Sequence, residues 1–448
     1  MQKYGWLRPS NLALTIAMLT SSSVFSSPWL ESQDPFLRSS LLLLSDSGKI
    51  SSPVNHYPAR WSLFGDDLAN LVPQNVQHDS SSIVVANQQL KHALQSAKLN
   101  RGNRRAKLVY GNEAKALGNS WGSSWNSASG SYGQFSRDEW GAYASYEHLD
   151  NDFAFRLSSG YSDYNGETEV VWDDSYLSLN AGSWLFSFGI LDRWWGQGWQ
   201  HNLILGSYAK STPEFSVNYI GGDTLDNSSL LGIWSIETVL SKLDEADFDY
   251  HSANRFVAKP FSMFEFGITY QHWFDKLGEQ GEGQFAVDGK LTLPHFSSLY
   301  HSVYTELAST SELSSVGAWL IGWSGSVEVA EHTARLVLES QQATSEQEKD
   351  QWKSGSQAID YPSVNKQQYQ NTYQLDDSVS AAIYLQLNND HNMSVSYKKS
   401  TIDSDTIKVT QATYRLPALS GMVHFGVDYT QMKQDNETNI WTGYEFRF

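Results

Sequence analysis

Cysteine is absent from the 448 residues, which excludes a disulfide framework and any thiolate metal site. Positive charge is scarce: 31 Lys and Arg stand against 49 Asp and Glu, a formal charge of −18. So acidic a chain is a poor partner for nucleic acid and suits an acidic surface or lumen. Beyond the amino terminus no segment approaches the roughly 20 apolar residues of a transmembrane helix, so any membrane span must be built from strands. The twelve His form neither an His-x-x-x-His nor an His-Glu-x-x-His pair, and spacing nominates no Ser-His-Asp set. The expectation is a protein without catalytic residues, metal or cofactor. Aromatic rings, by contrast, are plentiful, with 17 Trp and 23 Tyr. Membrane-interface girdles and sugar-stacking platforms both use such rings.

The first residues fit a secretory signal. Lys3 and Arg8 precede the apolar stretch Leu12 to Leu19, and Val24-Phe25-Ser26 offers a small-residue cleavage site, so residues 1–26 are expected to leave. Losing two cations takes the charge from −18 to −20. Residues 27–105 read as a small helical element on the periplasmic side. Asp34-Pro35 starts a helix with Leu37, Leu41 and Leu44 at helical spacing. Trp61, Leu63, Phe64, Leu68 and Leu71 suggest a second helix, broken by Pro73, and Ser81 to Leu99 a third. Lys98, Arg101, Arg104, Arg105 and Lys107 then form a basic hinge, read as a charged linker in preference to a binding site.

From residue 106 to 448 the period falls to two. Phe264, Phe266, Ile268 and Tyr270 alternate with Glu265, Gly267, Thr269 and Gln271. Val379 to Leu387, Met393 to Lys398 and Val423 to Thr430 alternate likewise, and Trp184, Phe186 and Phe188 form a further apolar face. This is the pattern of strands with lipid on one side and a polar lumen on the other. The polar stretches Gly221 to Ser229, Lys276 to Gly283 and Gln341 to Gln368 separate strands, the longer ones as surface loops. At about 19 residues per strand and connection, the segment holds on the order of 18 antiparallel strands, an even number if both barrel ends face the periplasm. The last strand puts Ile440, Thr442, Tyr444, Phe446 and Phe448 on one face and Asn439, Trp441, Gly443, Glu445 and Arg447 on the other. Its aromatic end, Tyr444, Phe446 and Phe448, resembles the sorting signal read by the barrel-assembly machinery. The fold class is therefore an all-β outer-membrane barrel, expected to be monomeric in outer-membrane lipid.

The densest constellation is Asp192-Arg193-Trp194-Trp195-Gly196-Gln197-Gly198-Trp199. Flat indoles can cover the C–H faces of a sugar while Asp192, Arg193 and Gln197 bond its hydroxyls, and glycines permit close approach. The other reading is an aromatic girdle or loop packing, with Arg193 satisfying neighbouring carbonyls or carboxylates. Physical chemistry leaves both open. The run Asp192 to Trp199, with Leu203-Ile204-Leu205 after it, is similar to the signature of the Wzi capsule-assembly family, although Gln197 stands where Pro is often found. What that resemblance implies is an 18-stranded outer-membrane lectin for capsular polysaccharide or exopolysaccharide, holding polymer at the cell surface and not acting as an enzyme. The alternatives are a porin or sugar-uptake channel and an outer-membrane hydrolase.

Overall fold

Each strand turns its polar residues inward. In Phe264–Phe274, Glu265, Thr269 and Gln271 are buried, while Phe264, Ile268 and Tyr270 are exposed on the outside. In Asn436–Arg447, Asn439 and Trp441 are buried and Ile440 is 62% exposed. A β-period exposes large apolar side chains all round the outside only where the surrounding solvent is lipid. The computed structural model describes residues 28–30, 34–71, 80–98, 103–112, 139–150, 152–164, 167–200, 202–205, 212–222, 230–243, 248–278, 281–309, 313–345, 377–387, 389–402, 405–431, 433 and 436–447. The signal segment 1–26 and Phe448 lie outside the described residues.

Among the described residues, nineteen segments form one closed ring. Asn103–Gly111 and Asn436–Arg447, the first and last, pair with each other and close it. Glu167–Val171 and Tyr176–Ala181 pair with successive parts of the same neighbour, Phe153–Tyr164, and make one interrupted strand. The ring is therefore the expected eighteen-stranded antiparallel barrel. An even number returns both barrel termini to one end, which by its short hairpins is the periplasmic end. Two hairpins there turn on residue pairs at positive φ, Ala330-Glu331 and Leu419-Ser420, the geometry whose twist matches the flanking strands. The connection after Gly221 is also at this end, because Gly221 pairs with Trp234 near the start of Ile233–Lys242. It is a periplasmic connection and not a surface loop. Strand His332–Ala343 extends past Gln341, so the long outer connection begins three residues later than its polarity suggests.

The helices start where expected. Helix α1 spans Pro35–Asp46; Asp34 caps it by accepting from the Phe36 and Leu37 amides at 2.9 and 3.1 Å. A 3₁₀ turn at Trp61–Leu63 leads into α2, Gly65–Asn70, and α3 spans Ser81–Lys98. Read from the sequence as an element on the periplasmic side, this segment enters the lumen from that side. Wall residues grip α1: Gln386 donates to the Phe36 carbonyl, Arg335 to that of Ser39, and Lys290 lies 3.2 Å from Asp46. Its Leu-rich face packs with Tyr57, Trp61, Phe64 and Leu90 into one core that continues to Trp194 and Trp199.

A closed barrel with a filled lumen resists detergent until heated. The folded protein should therefore run at a different apparent mass before and after boiling in dodecyl sulfate; identical migration would contradict the closed ring.

Candidate functional site

The Trp-rich segment is reached through a defect in the wall. Between Val171 and Tyr176 the interrupted strand bulges, with Asp174 at φ 65°. Ser175 restores the ladder with its side chain: Oγ accepts from the Ser158 amide and donates to the Ser158 carbonyl, both at 2.9 Å. The adjacent strand Trp184–Gly189 has only six residues. After it the chain leaves the wall, crosses the lumen and returns at Glu214–Gly221. Within this excursion Trp194–Trp195 pairs antiparallel with His56–Tyr57 of the N-terminal segment. The Trp195 amide also donates to the Leu205 carbonyl at 2.7 Å, so three short strands meet inside the barrel. We call residues 190–205 the latch.

Wall carboxylates hold its backbone. Glu306 accepts from the amides of Gly198 and Leu203 at 2.8 and 2.9 Å. Glu339 accepts from Trp199 at 2.6 Å, from Gln200 at 2.8 Å and from the Tyr304 hydroxyl at 2.6 Å. From the opposite side Arg38 of α1 donates to the carbonyls of Gln197 and Gly198 at 3.0 and 2.9 Å. A backbone stripped of water is thereby supplied with acceptors from the wall and donors from the helix. Gly196 sits at φ +123°, and a Cβ there would lie 2.4 Å from Glu306 Oε1. Only glycine permits both that turn and that approach.

The side chains are as fully engaged. Arg193 bonds Glu214 through Nε at 2.8 Å and Nη2 at 2.6 Å, and Glu237 through Nη1 at 2.6 Å. Burial alone would lower its pKa, but the two carboxylates outweigh burial and push it up. His56 Nε2 lies 2.6 Å from Glu237. Burial holds that imidazole below its ordinary pKa, with Glu237 pulling the other way. Gln197 donates to Glu265 and Asp288 at 3.2 and 3.1 Å. Asp288 also accepts from Asn55 of the N-terminal segment, which plugs the lumen, at 2.6 Å, and lies 2.8 Å from Arg255. Trp195 and Trp199 have no exposed surface and Trp194 has 1%. His56 stands edge-on to Trp195, Tyr384 leans on Trp199, and the Arg38 guanidinium lies 4.5 Å over the Trp199 ring.

The structure thus gathers Arg193, Trp194, Trp195, Gln197 and Trp199 in one place. That place is the buried centre of the lumen, neither a membrane girdle nor an open sugar platform, and no indole has a bare face there. Asp192 is only partly buried, at the latch's outer entry. Tyr444 and Phe446 lie on the last strand, partly exposed, as its alternation predicts. Sequence reasoning missed Arg38, His56, Glu306 and Glu339. The alternation places the last two on lumen faces, but nothing local marks them as partners of a segment more than a hundred residues away.

Residues 105–285 match the family model described as capsule assembly protein Wzi. Among solved structures, the chain is similar to Wzi of Escherichia coli, described as an outer-membrane protein involved in group 1 capsule assembly and a carbohydrate-binding β-barrel. The identity is 16% and the TM-score 0.76, over 94% of this chain and 99% of that one, and the shared property is the outer-membrane barrel fold. OccAB4 of Acinetobacter baumannii aligns at 10% identity and TM-score 0.46 over 78% of this chain and 98% of its own. OccK3 of Pseudomonas aeruginosa aligns at 9% and 0.48 over 78% and 95%. No curated protein matches the chain by sequence.

Removing one buried indole tests the latch. Trp199→Ala should destabilise the barrel by about 3–5 kcal/mol, read as a lower temperature at which the folded gel band disappears. Replacing Trp194, Trp195 and Trp199 together by Leu should prevent normal assembly. An unaltered folded band with lost polymer binding would instead put sugar against these rings.

Proposed function

We propose that this chain, whose residues 105–285 match the capsule assembly protein Wzi family model, binds an exported polysaccharide, capsular or exopolysaccharide, and anchors it at the cell surface. The observation that carries this reading is the filled lumen. Helix α1 with residues 50–60 blocks it from the periplasmic side, and the latch blocks it from the outer side. A channel needs a continuous water path, whereas this barrel uses its interior to brace the outer ends of its strands. Rigid presentation is what a lectin needs, since each loop ordered in advance lowers the entropic cost of binding.

The Trp cluster takes an indirect part in this reading. Arg193, Trp194, Trp195, Gln197 and Trp199 lock the N-terminal segment and the wall into one body, and polymer lies above them on the outer face. Just outside the latch, Gln271 donates to the Ile204 carbonyl and to Gln284, and also meets His251 at 3.0 Å. This ladder couples the latch to the outer ends of three neighbouring strands. The protein's role is adhesion, so loss of the protein leaves synthesis intact.

A strain lacking the protein should release polymer into the medium while making it at an undiminished rate; full surface retention would remove the proposal. Purified protein in planar bilayers should carry little steady current. Large, stable conductance would favour the porin reading instead.

A further inference from the structure

Outside the lumen, one pair of side chains runs against the ordinary rules of sheet pairing. Lys399 of Asn392–Ile402 and Lys408 of Asp405–Ala418 are direct cross-strand partners. Both are exposed, and both lie on the outward face, in line with Met393, Val395 and Tyr397 on one strand and Thr410 and Tyr414 on the other. Like charges directly opposite each other destabilise a sheet. Neither lysine forms an ion pair with a described residue. The carboxylate in the next outward row, Asp377 opposite Thr401, accepts from the Ala343 amide at 3.0 Å. In a chain with eighteen more acids than bases, two cations set face to face call for an anion from outside.

The rows of the wall identify that anion's surroundings. Register places Val379, Lys399, Lys408 and Gln431 side by side, three residues from the outer end of the Asn392–Ile402 strand. One row towards the periplasm are Ala381, Tyr397, Thr410 and Tyr429. The next row is Ile383, Val395, Ala412 and Val427. Lys399 thus stands directly above Tyr397 and Lys408 above Thr410, with Tyr429 beside Thr410 on the next strand, and this row stands above an apolar band. Aromatic rings mark the level of lipid headgroups, and the row above them is where phosphates of the outer leaflet lie. A soluble acidic polymer would meet the barrel at its loops, whereas this pair faces sideways into the membrane.

We propose that Lys399 and Lys408 form a binding site for a phosphorylated glycolipid of the outer leaflet. One phosphate bridges the two ammonium groups, Tyr397 and Tyr429 pack beside its sugar, and the acyl chains run down Val395 and Val427. The lipid relieves the repulsion between the lysines and tethers this side of the barrel. The site is independent of polymer binding by the outer loops.

The test compares wild-type protein with the double variant Lys399→Gln, Lys408→Gln, both extracted from outer membranes in mild detergent. Lipopolysaccharide retained per barrel is measured by native mass spectrometry, and delipidated protein is titrated with bisphosphorylated lipid A. At roughly a factor of five for each cation near a headgroup, the variant should bind on the order of 25-fold more weakly. Lys399→Arg, Lys408→Arg should restore binding, and the folded gel band of all three proteins should be the same. Dephosphorylated lipid A should bind wild-type protein as weakly as the glutamine variant binds the phosphorylated form. Equal binding by wild-type and glutamine variant, or equal binding of the dephosphorylated lipid, would overturn the proposal. So would displacement of the lipid by equimolar inorganic phosphate, which indicates a bare anion site. Loss in the variant of binding to a lipid-free acidic polysaccharide, with lipid A unaffected, would assign the pair to polymer.

Discussion

A segment of backbone that enters a barrel lumen brings amides and carbonyls that water no longer serves, and each left unpaired costs on the order of 1–3 kcal/mol. The latch satisfies this constraint from two sides. Glu306 and Glu339 accept its amides, and Arg38 donates to its carbonyls. Because the acceptors belong to the wall and the donors to the N-terminal helix, neither set can work without the other. The plug, the latch and the barrel therefore form one structural unit. The chain's acidity has a place in this arrangement too: several of its carboxylates are internal ligands for backbone and for buried Arg, Lys and Gln.

The same arrangement explains why aromatic residues sit in so polar an interior. Trp194, Trp195 and Trp199 fill the volume between the hydrogen-bonded strips, joining α1 to the wall through a continuous apolar core. On the proposed reading, filling is what distinguishes this barrel from a pore. An interior braced in this way holds the outer ends of its strands still, and adhesion to a long polymer depends on many weak contacts presented in fixed positions. Function in this reading is displaced from the motif that attracts the eye to the surface that the motif supports.

Much of the architecture was legible in the sequence. Period-two alternation assigned the faces of Phe264–Phe274 and Asn436–Arg447 because lipid and lumen impose opposite demands on successive residues. Asp34-Pro35 marked the start of α1 because a carboxylate followed by proline suits the first turn of a helix. The Trp cluster was legible as unusual and not as to its place. Indoles, glycines and an arginine have the same composition whether they form a rim, a platform or a plug. What separates these cases is pairing between Trp195 and His56, or between Trp199 and Glu339, and such contacts leave no local periodic trace. The depth reached by the N-terminal segment was hidden for the same reason: helical spacing reports which face is apolar, not what covers it.

The alternation also divides this sequence into two populations with different freedom to change. An outward residue such as Ile268 has lipid for a neighbour, and any apolar side chain of similar reach serves it equally. An inward residue such as Asp288, which meets Asn55, Arg255 and Gln197 at once, has no substitute of the same shape and charge. Substitution is therefore less constrained on the outward face than on the inward one. Half of every strand is answerable only to a fluid, and the other half to particular partners in the lumen.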